Sequence, residues 1–155
     1  MKKIIMIMMF LLGIITKEVP YTYVDKEINI FKEIEIKEVV LATYKGNITA
    51  YGPDCVGCSG VTASGYNVRN NIYYNDKEYG KVRILAADKS LPFGTIVRIK
   101  DLSNYNEPIM AIVLDRGGAI GFNKKANFDL LYHSEKETNS FGSRQATFEI
   151  LRRGY

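Results

Sequence analysis

Two aspartates frame the stretch VLDRGGAIGFNKKANFDLLYH, residues 113–133: Asp115 closes the apolar run AIVL, and Asp129 sits between Phe128 and Leu130. An ionised carboxylate among such neighbours is costly to dehydrate, so each must serve either as a cap or in acid–base chemistry. Asp115 is followed by Gly117 and Gly118, which let the backbone turn tightly or approach a ligand closely; capping that turn is the alternative use of its side chain. Asp129 lies within strand-like text, where Asp is depleted. Strand alternation would send its carboxylate to the face opposite its apolar neighbours. Asp88, in ILAADKSLPFGT, repeats the placement: an apolar run, an aspartate, then a Pro-Gly turn. If the three strand ends converge, like charges in a partly dehydrated cleft raise the pKa of at least one carboxyl and keep it protonated near neutral pH, as a general acid requires.

The elements that must position these acids are short. β-type runs at Asn47 to Tyr51, Val82 to Ala86, Thr95 to Lys100, Ile109 to Leu114, Phe128 to Tyr132 and Ala146 to Arg152 are separated by GPDCVGCSG, LPFG, SNYNEP and RGGAIGFN, all rich in turn formers. Six short strands without long crossover helices predict an all-β fold, a small six-stranded barrel with one or two short helices. One helix is expected over Ser134 to Gly142, with Ser134 as N-cap and Glu137 as its capping-box partner.

The barrel domain is expected to span residues 41–155. Residues 1–17 open with two lysines and an apolar run from Ile4 to Ile15, the layout of a secretory signal or a short uncleaved anchor. The run is shorter than the roughly 20 residues that cross a bilayer as a helix. Residues 18–40 alternate charged and apolar positions and read as a linker or an edge strand. Export, with possible retention at the membrane through this segment, is the expectation.

A chain of 155 residues with 46% hydrophobic content builds one core. Its formal charge is +4, with Lys and Glu interspersed rather than gathered into a basic stripe, which argues against a nucleic-acid partner. Cys55 and Cys58 form C-x-x-C, most simply a local disulfide in an exported protein. A redox dithiol would want a helix N-terminus, which GVTASG does not offer. Zinc would need two further ligands, and the single histidine, His133, supplies at most one. Neither metal nor cofactor is expected. Tyr51 and Tyr66 are candidates for a flat stacking floor, or for packing on the barrel surface.

The runs ITAYG, GVTASG, ILAADKSLPFGTIVRI, LDRGGAIGFNKKANFDLLY and FGSRQATFEIL, over about residues 47–152, resemble the three-aspartate (3D) domain. That domain occurs in Gram-positive cell-wall proteins, including stationary-phase survival proteins, and in the membrane-bound lytic transglycosylase A family. The resemblance implies a double-psi β-barrel, a location at the cell wall, and peptidoglycan glycan strands as substrate. The bond between N-acetylmuramic acid and N-acetylglucosamine would be cleaved without added water, leaving a 1,6-anhydro end. By position, Asp129 matches the acid/base, Asp115 the second aspartate and Asp88 a supporting third; Thr49 and Thr62 match cleft-lining hydroxyls, and with them Gly117 and Gly118, where the backbone can approach a ligand, are expected to bind the substrate. The chain departs from the common DTGGAIKG by reading DRGGAIGF, which puts Arg116 in place of a small residue and displaces the lysine to Lys124 or Lys125. A non-catalytic glycan-binding module on the same barrel is the alternative, and plain hydrolysis by Asp115 and Asp129 as a pair is a third.

Overall fold

The computed structural model describes residues 38–155; the leader and nearly all of the linker lie outside the described residues. Seven strands and one helical turn follow in the order β1 (Ala42–Tyr51), β2 (Tyr73–Asp76), β3 (Gly80–Ala87), β4 (Ile96–Lys100), β5 (Ile109–Asp115), β6 (Phe128–Leu131), α1 (Glu135–Thr138) and β7 (Arg144–Arg152). Six of them close into a barrel, running β3, β5, β4, β7, β1 and β6, with β6 pairing back onto β3. The pairs β1–β6 and β3–β5 are parallel; the other contacts in the ring are antiparallel. The expected six-stranded all-β barrel is therefore what the chain forms. Strand β2 is outside it, paired to the start of β3 through a turn at Gly80, whose φ of 66° suits glycine.

Alternation divides the barrel's residues between two apolar layers. Ile48, Leu85, Val97, Val113, Phe128, Leu130 and Phe148 fill the inside, with the Phe128 and Phe148 rings 4.5 Å apart. Ile84, Ile112, Leu114 and Leu131 point the other way and are buried with Val68, Ile72 and Val82, beneath the long connection that follows β1. Strands β3 and β5 are thus covered on both faces, which is why they read as continuous apolar text rather than as alternation.

The strands extend one or more residues beyond several expected bounds, most clearly β1, which begins at Ala42. Strand β2 was not expected, because YYND is short and flanked by turn residues. The helix is shorter than expected: one turn, with the Ser134 hydroxyl accepting the Glu137 N–H. Asn139 and Gly142 then carry the chain straight into β7.

One irregularity matters for the site. Leu85 pairs with Val113, but Ala86 pairs with Asp115, so Leu114 is an extra residue in β5. Such a bulge shifts every later residue of its strand by one place against its neighbour.

Candidate active site

The bulge aligns four residues across four strands. Asp115 on β5 is in register with Ala86 on β3, Ala86 with Asp129 on β6, and Asp129 with Thr49 on β1. Side chains directly opposite one another share a sheet face. The row therefore reads acid, methyl, acid, hydroxyl, on the outer side of the barrel. Two strand spacings, roughly 10 Å, separate the backbones of the two aspartates, with the small, buried Ala86 between them. In an unbulged pairing Leu114 would sit opposite Ala86 and Asp115 would fall on the inward face with Val113.

The two carboxylates are held differently. Asp115 accepts three hydrogen bonds: from the Tyr51 hydroxyl at 2.7 Å, the Ala63 N–H at 2.9 Å and the Arg116 N–H at 2.8 Å. Both its oxygens are engaged, so the side chain is held in place and ties the long connection to the end of β5. Asp129 receives one side-chain hydrogen bond, from the Thr49 hydroxyl at 2.9 Å. Burial raises its pKa to about 6; the Thr49 hydrogen bond opposes the rise, and the charges of Glu135 and then Asp115 add to it. Dehydration of the carboxylate is the leading cause and like-charge repulsion a secondary one. At pH 7 about one molecule in ten holds the proton, and at pH 6 about half.

Asp88 stands outside the row. It follows Ala87, which is paired with Phe128, and its Oδ1 accepts the Ser90 N–H at 2.9 Å. The Ser90 hydrogen bonds hold its carboxyl below the usual range, helped by Arg116 and Lys124. It faces Gly121, where a Cβ would lie 2.9 Å from its Oδ2. The three aspartates thus do not crowd onto one point: two share the row, and the third organises the bend after β5. Arg116, the departure noted in the sequence, belongs to that bend. Its guanidinium donates to the carbonyls of Leu91 at 2.9 Å and Ala87 at 3.3 Å and lies 4.1 Å above the Phe93 ring. It braces the turn after β3 against the end of β5.

The remaining expected residues are placed unevenly. Thr49 meets Asp129 directly. Thr62 is buried, and its hydroxyl accepts the Tyr66 N–H and bonds Ser64, so it is engaged within its own turn. Gly117 is required by close approach, since a Cβ there would meet the Ile120 side chain at 2.6 Å, whereas Gly118 faces open space. Tyr66 packs edge-on against Tyr74 and donates to the Tyr73 carbonyl. Cys55 and Cys58 are joined by a disulfide in the connection beside the site.

Two residues of the site were not expected as such. Tyr51, expected as a stacking surface or as barrel packing, clamps Asp115 with its hydroxyl; burial and the Asp115 charge push its pKa well up, so it remains a donor. Glu135 follows the N-cap serine, and its Oε2 accepts the Gly52 N–H at 2.9 Å. A Cβ on Gly52 would lie 2.0 Å from the Glu135 nitrogen, so the glycine lets the start of α1 settle against the end of β1. Nothing in the local sequence singles out Glu135, because its nearness to Asp129 depends on how the chain folds back after β6. Among the described residues no three His, Cys, Asp or Glu side chains converge as metal ligands do.

A cavity of about 270 Å³ opens beside Asp115, bounded by Tyr51, Arg116 and the connection from Gly52 to Val61. Asp129 does not line it; the acid row meets it at Asp115.

No protein-family model matches the chain. It is 38% identical over 98 residues to the Bacillus subtilis (strain 168) protein named "SPbeta prophage-derived uncharacterized protein YorM", covering 62% of this chain and 37% of that one. It is 30% identical over 104 residues to "Putative cell wall shaping protein YabE" of the same strain, covering 66% of this chain and 21% of that one. The chain spans well under half the length of either relative.

Proposed function

We propose that this barrel acts on the bacterial cell wall as a 3D-type lytic transglycosylase, with Asp129 as its single acid/base. The name of one relative, a cell wall shaping protein, supports the wall as its place of action. The observation that carries the catalytic reading is the row itself: a dehydrated carboxyl, positioned by Thr49 and next but one to a clamped Asp115, with a pKa raised to about 6. Such a group is protonated often enough to give a proton and basic enough to take one back.

In the proposed reaction Asp129 protonates the bridging oxygen as the bond to C1 of the muramic acid breaks. The fixed charge of Asp115 favours the oxocarbenium-like state. The sugar's own 6-hydroxyl then attacks C1, and its proton returns to the Asp129 carboxylate. One carboxyl therefore serves both halves, and no water molecule has to be activated. Residues 1–17 would export the domain or anchor it beside its substrate.

The test is digestion of purified peptidoglycan with mass spectrometry of the released fragments, comparing the wild type with Asp129→Asn. The wild type should release 1,6-anhydro ends and the variant should not. Equal release by both proteins would remove Asp129 from the mechanism. Reducing ends would indicate hydrolysis, and wall binding without any release would indicate a binding module.

A further inference from the structure

We propose that the groove leading away from Asp115 along the disulfide-bearing connection is a second recognition site. It would take an amino-acid end that carries both a carboxylate and an ammonium, as the peptide stem of a cell-wall glycan does. The inference rests on the glycan-directed reading above and names the part of the substrate that this chain reads beyond the sugar.

Two cavities lie side by side. The one at Asp115 is about 270 Å³ and the next about 440 Å³, and they share the wall formed by Pro53, Cys58, Ser59 and Gly60. The far cavity is lined by three ionisable side chains, Asp54, Arg69 and His133. Each has a defined setting. Arg69 lies across Gly60, where a Cβ would come within 2.4 Å of its Cγ, and it donates one N–H to the Ser59 carbonyl at 2.6 Å. Its guanidinium is thereby oriented while forming no ion pair among the described residues. His133 is exposed at the same rim. Asp54 Oδ1 accepts the Glu135 N–H at 2.6 Å, which fixes its carboxylate at the same cavity.

The mixture of charges decides the ligand class. Sugar hydroxyls need no ionised partners, and a purely anionic ligand would be repelled by Asp54. A zwitterionic end satisfies both sides: its carboxylate meets Arg69, a planar donor suited to carboxylates, and its ammonium meets Asp54. The Cys55–Cys58 disulfide closes the loop between Asp54 and Ser59 and keeps the wall in place before binding, which limits the ordering cost. With the glycan over the acid row, a peptide branching from it has a continuous path through the shared wall.

The chain has one histidine, so its imidazole NMR signals report on the far cavity without ambiguity. Titrating the full chain with a synthetic stem-type tetrapeptide, bearing a side-chain ammonium and a free C-terminal carboxylate, should shift those signals. Arg69→Gln should weaken the binding roughly 10- to 100-fold, and so should acetylating the ammonium or amidating the carboxylate. Absence of any shift at millimolar peptide, or equal affinity for Arg69→Gln, overturns the proposal. On glycan with and without its peptides, the wild type should prefer the peptide-bearing form, and Arg69→Gln should lose that preference while cleaving stripped glycan at the wild-type rate. A wild type that cleaves both forms equally overturns the stem site and leaves the catalytic reading standing. Peptide binding without cleavage of either glycan supports the stem site and removes the catalytic reading.

Discussion

Asp129 and Asp76 are both largely withdrawn from water, yet their carboxyls lie at opposite ends of the titration range. Asp76, at the end of β2, has a side chain only 8% exposed. It faces Arg152 through two hydrogen bonds of 2.6 and 3.0 Å and also accepts the N–H groups of Glu78 and Tyr79. Its pKa falls to about 2, chiefly through the Arg152 hydrogen bonds. Asp129 has a threonine hydroxyl where Asp76 has a guanidinium, and its charged neighbours are acids. Burial sets the cost of the charge in both places; the partner decides whether the charge is kept. The ion-paired side of the barrel, which also holds Glu149 between Arg98 and Lys100, is built for stability. At the acid row burial disfavours the charged form of Asp129, so its ionisation costs stability.

The contrast is broken most directly at the acid itself. Asp129→Asn should lower glycan release by about 10²- to 10⁴-fold, the usual contribution of a general acid/base, as measured by initial rates on peptidoglycan. In the wild type the acid step should fade as pH rises above 6, because the pKa of about 6 leaves progressively less of the protonated form.

Next in size is the loss expected at the paired aspartate. The folded-state pKa of Asp76 is depressed, so its contribution is present above pH 4 and is lost as pH falls through 2. Asp76→Asn should therefore cost about 2 kcal/mol in urea unfolding at pH 7, with most of that difference gone at pH 2.

At the row the sign reverses. The folded-state pKa of Asp129 lies above its unfolded value, so the stability linked to its proton is present below pH 4 and is lost as pH rises through 6. Asp129→Asn should then stabilise the protein by about 1–2 kcal/mol at pH 7, and the two proteins should converge at pH 4. A variant that is less stable at neutral pH would show that the carboxylate is not strained in the fold.

The smallest effects sharpen the account of causes. Thr49→Val removes the donor that favours the ionised form and should move the Asp129 titration upward, whereas Glu135→Gln removes a repelling charge and should move it downward. Each shift should be a fraction of a pH unit, read from the carboxyl carbon signal by NMR.

Much of this was legible beforehand. Apolar runs punctuated by Gly, Pro and Asn marked the six barrel strands, and Asp129 stood out as an acid inside strand text. Asp88 looked equivalent to the other two aspartates because all three follow apolar runs. The structure separates it, since the Ser90 N–H and the nearby Arg116 and Lys124 keep it ionised at the bend. Thr62 and Thr49 were both expected as cleft-lining hydroxyls, yet one is turned into its own loop and the other onto the acid.

What the chain determined by itself is local: period-two alternation chooses which residues of a strand face the core, and turn residues choose where strands stop. What only the tertiary structure decided is which acid meets which partner. The Thr49–Asp129 and Tyr51–Asp115 contacts join residues 80 and 64 positions apart, and a single extra residue, Leu114, sets the register that puts both acids on one face. Proton affinity depends on water and charge within a few ångströms, and barrel closure supplies that surrounding from distant parts of the chain.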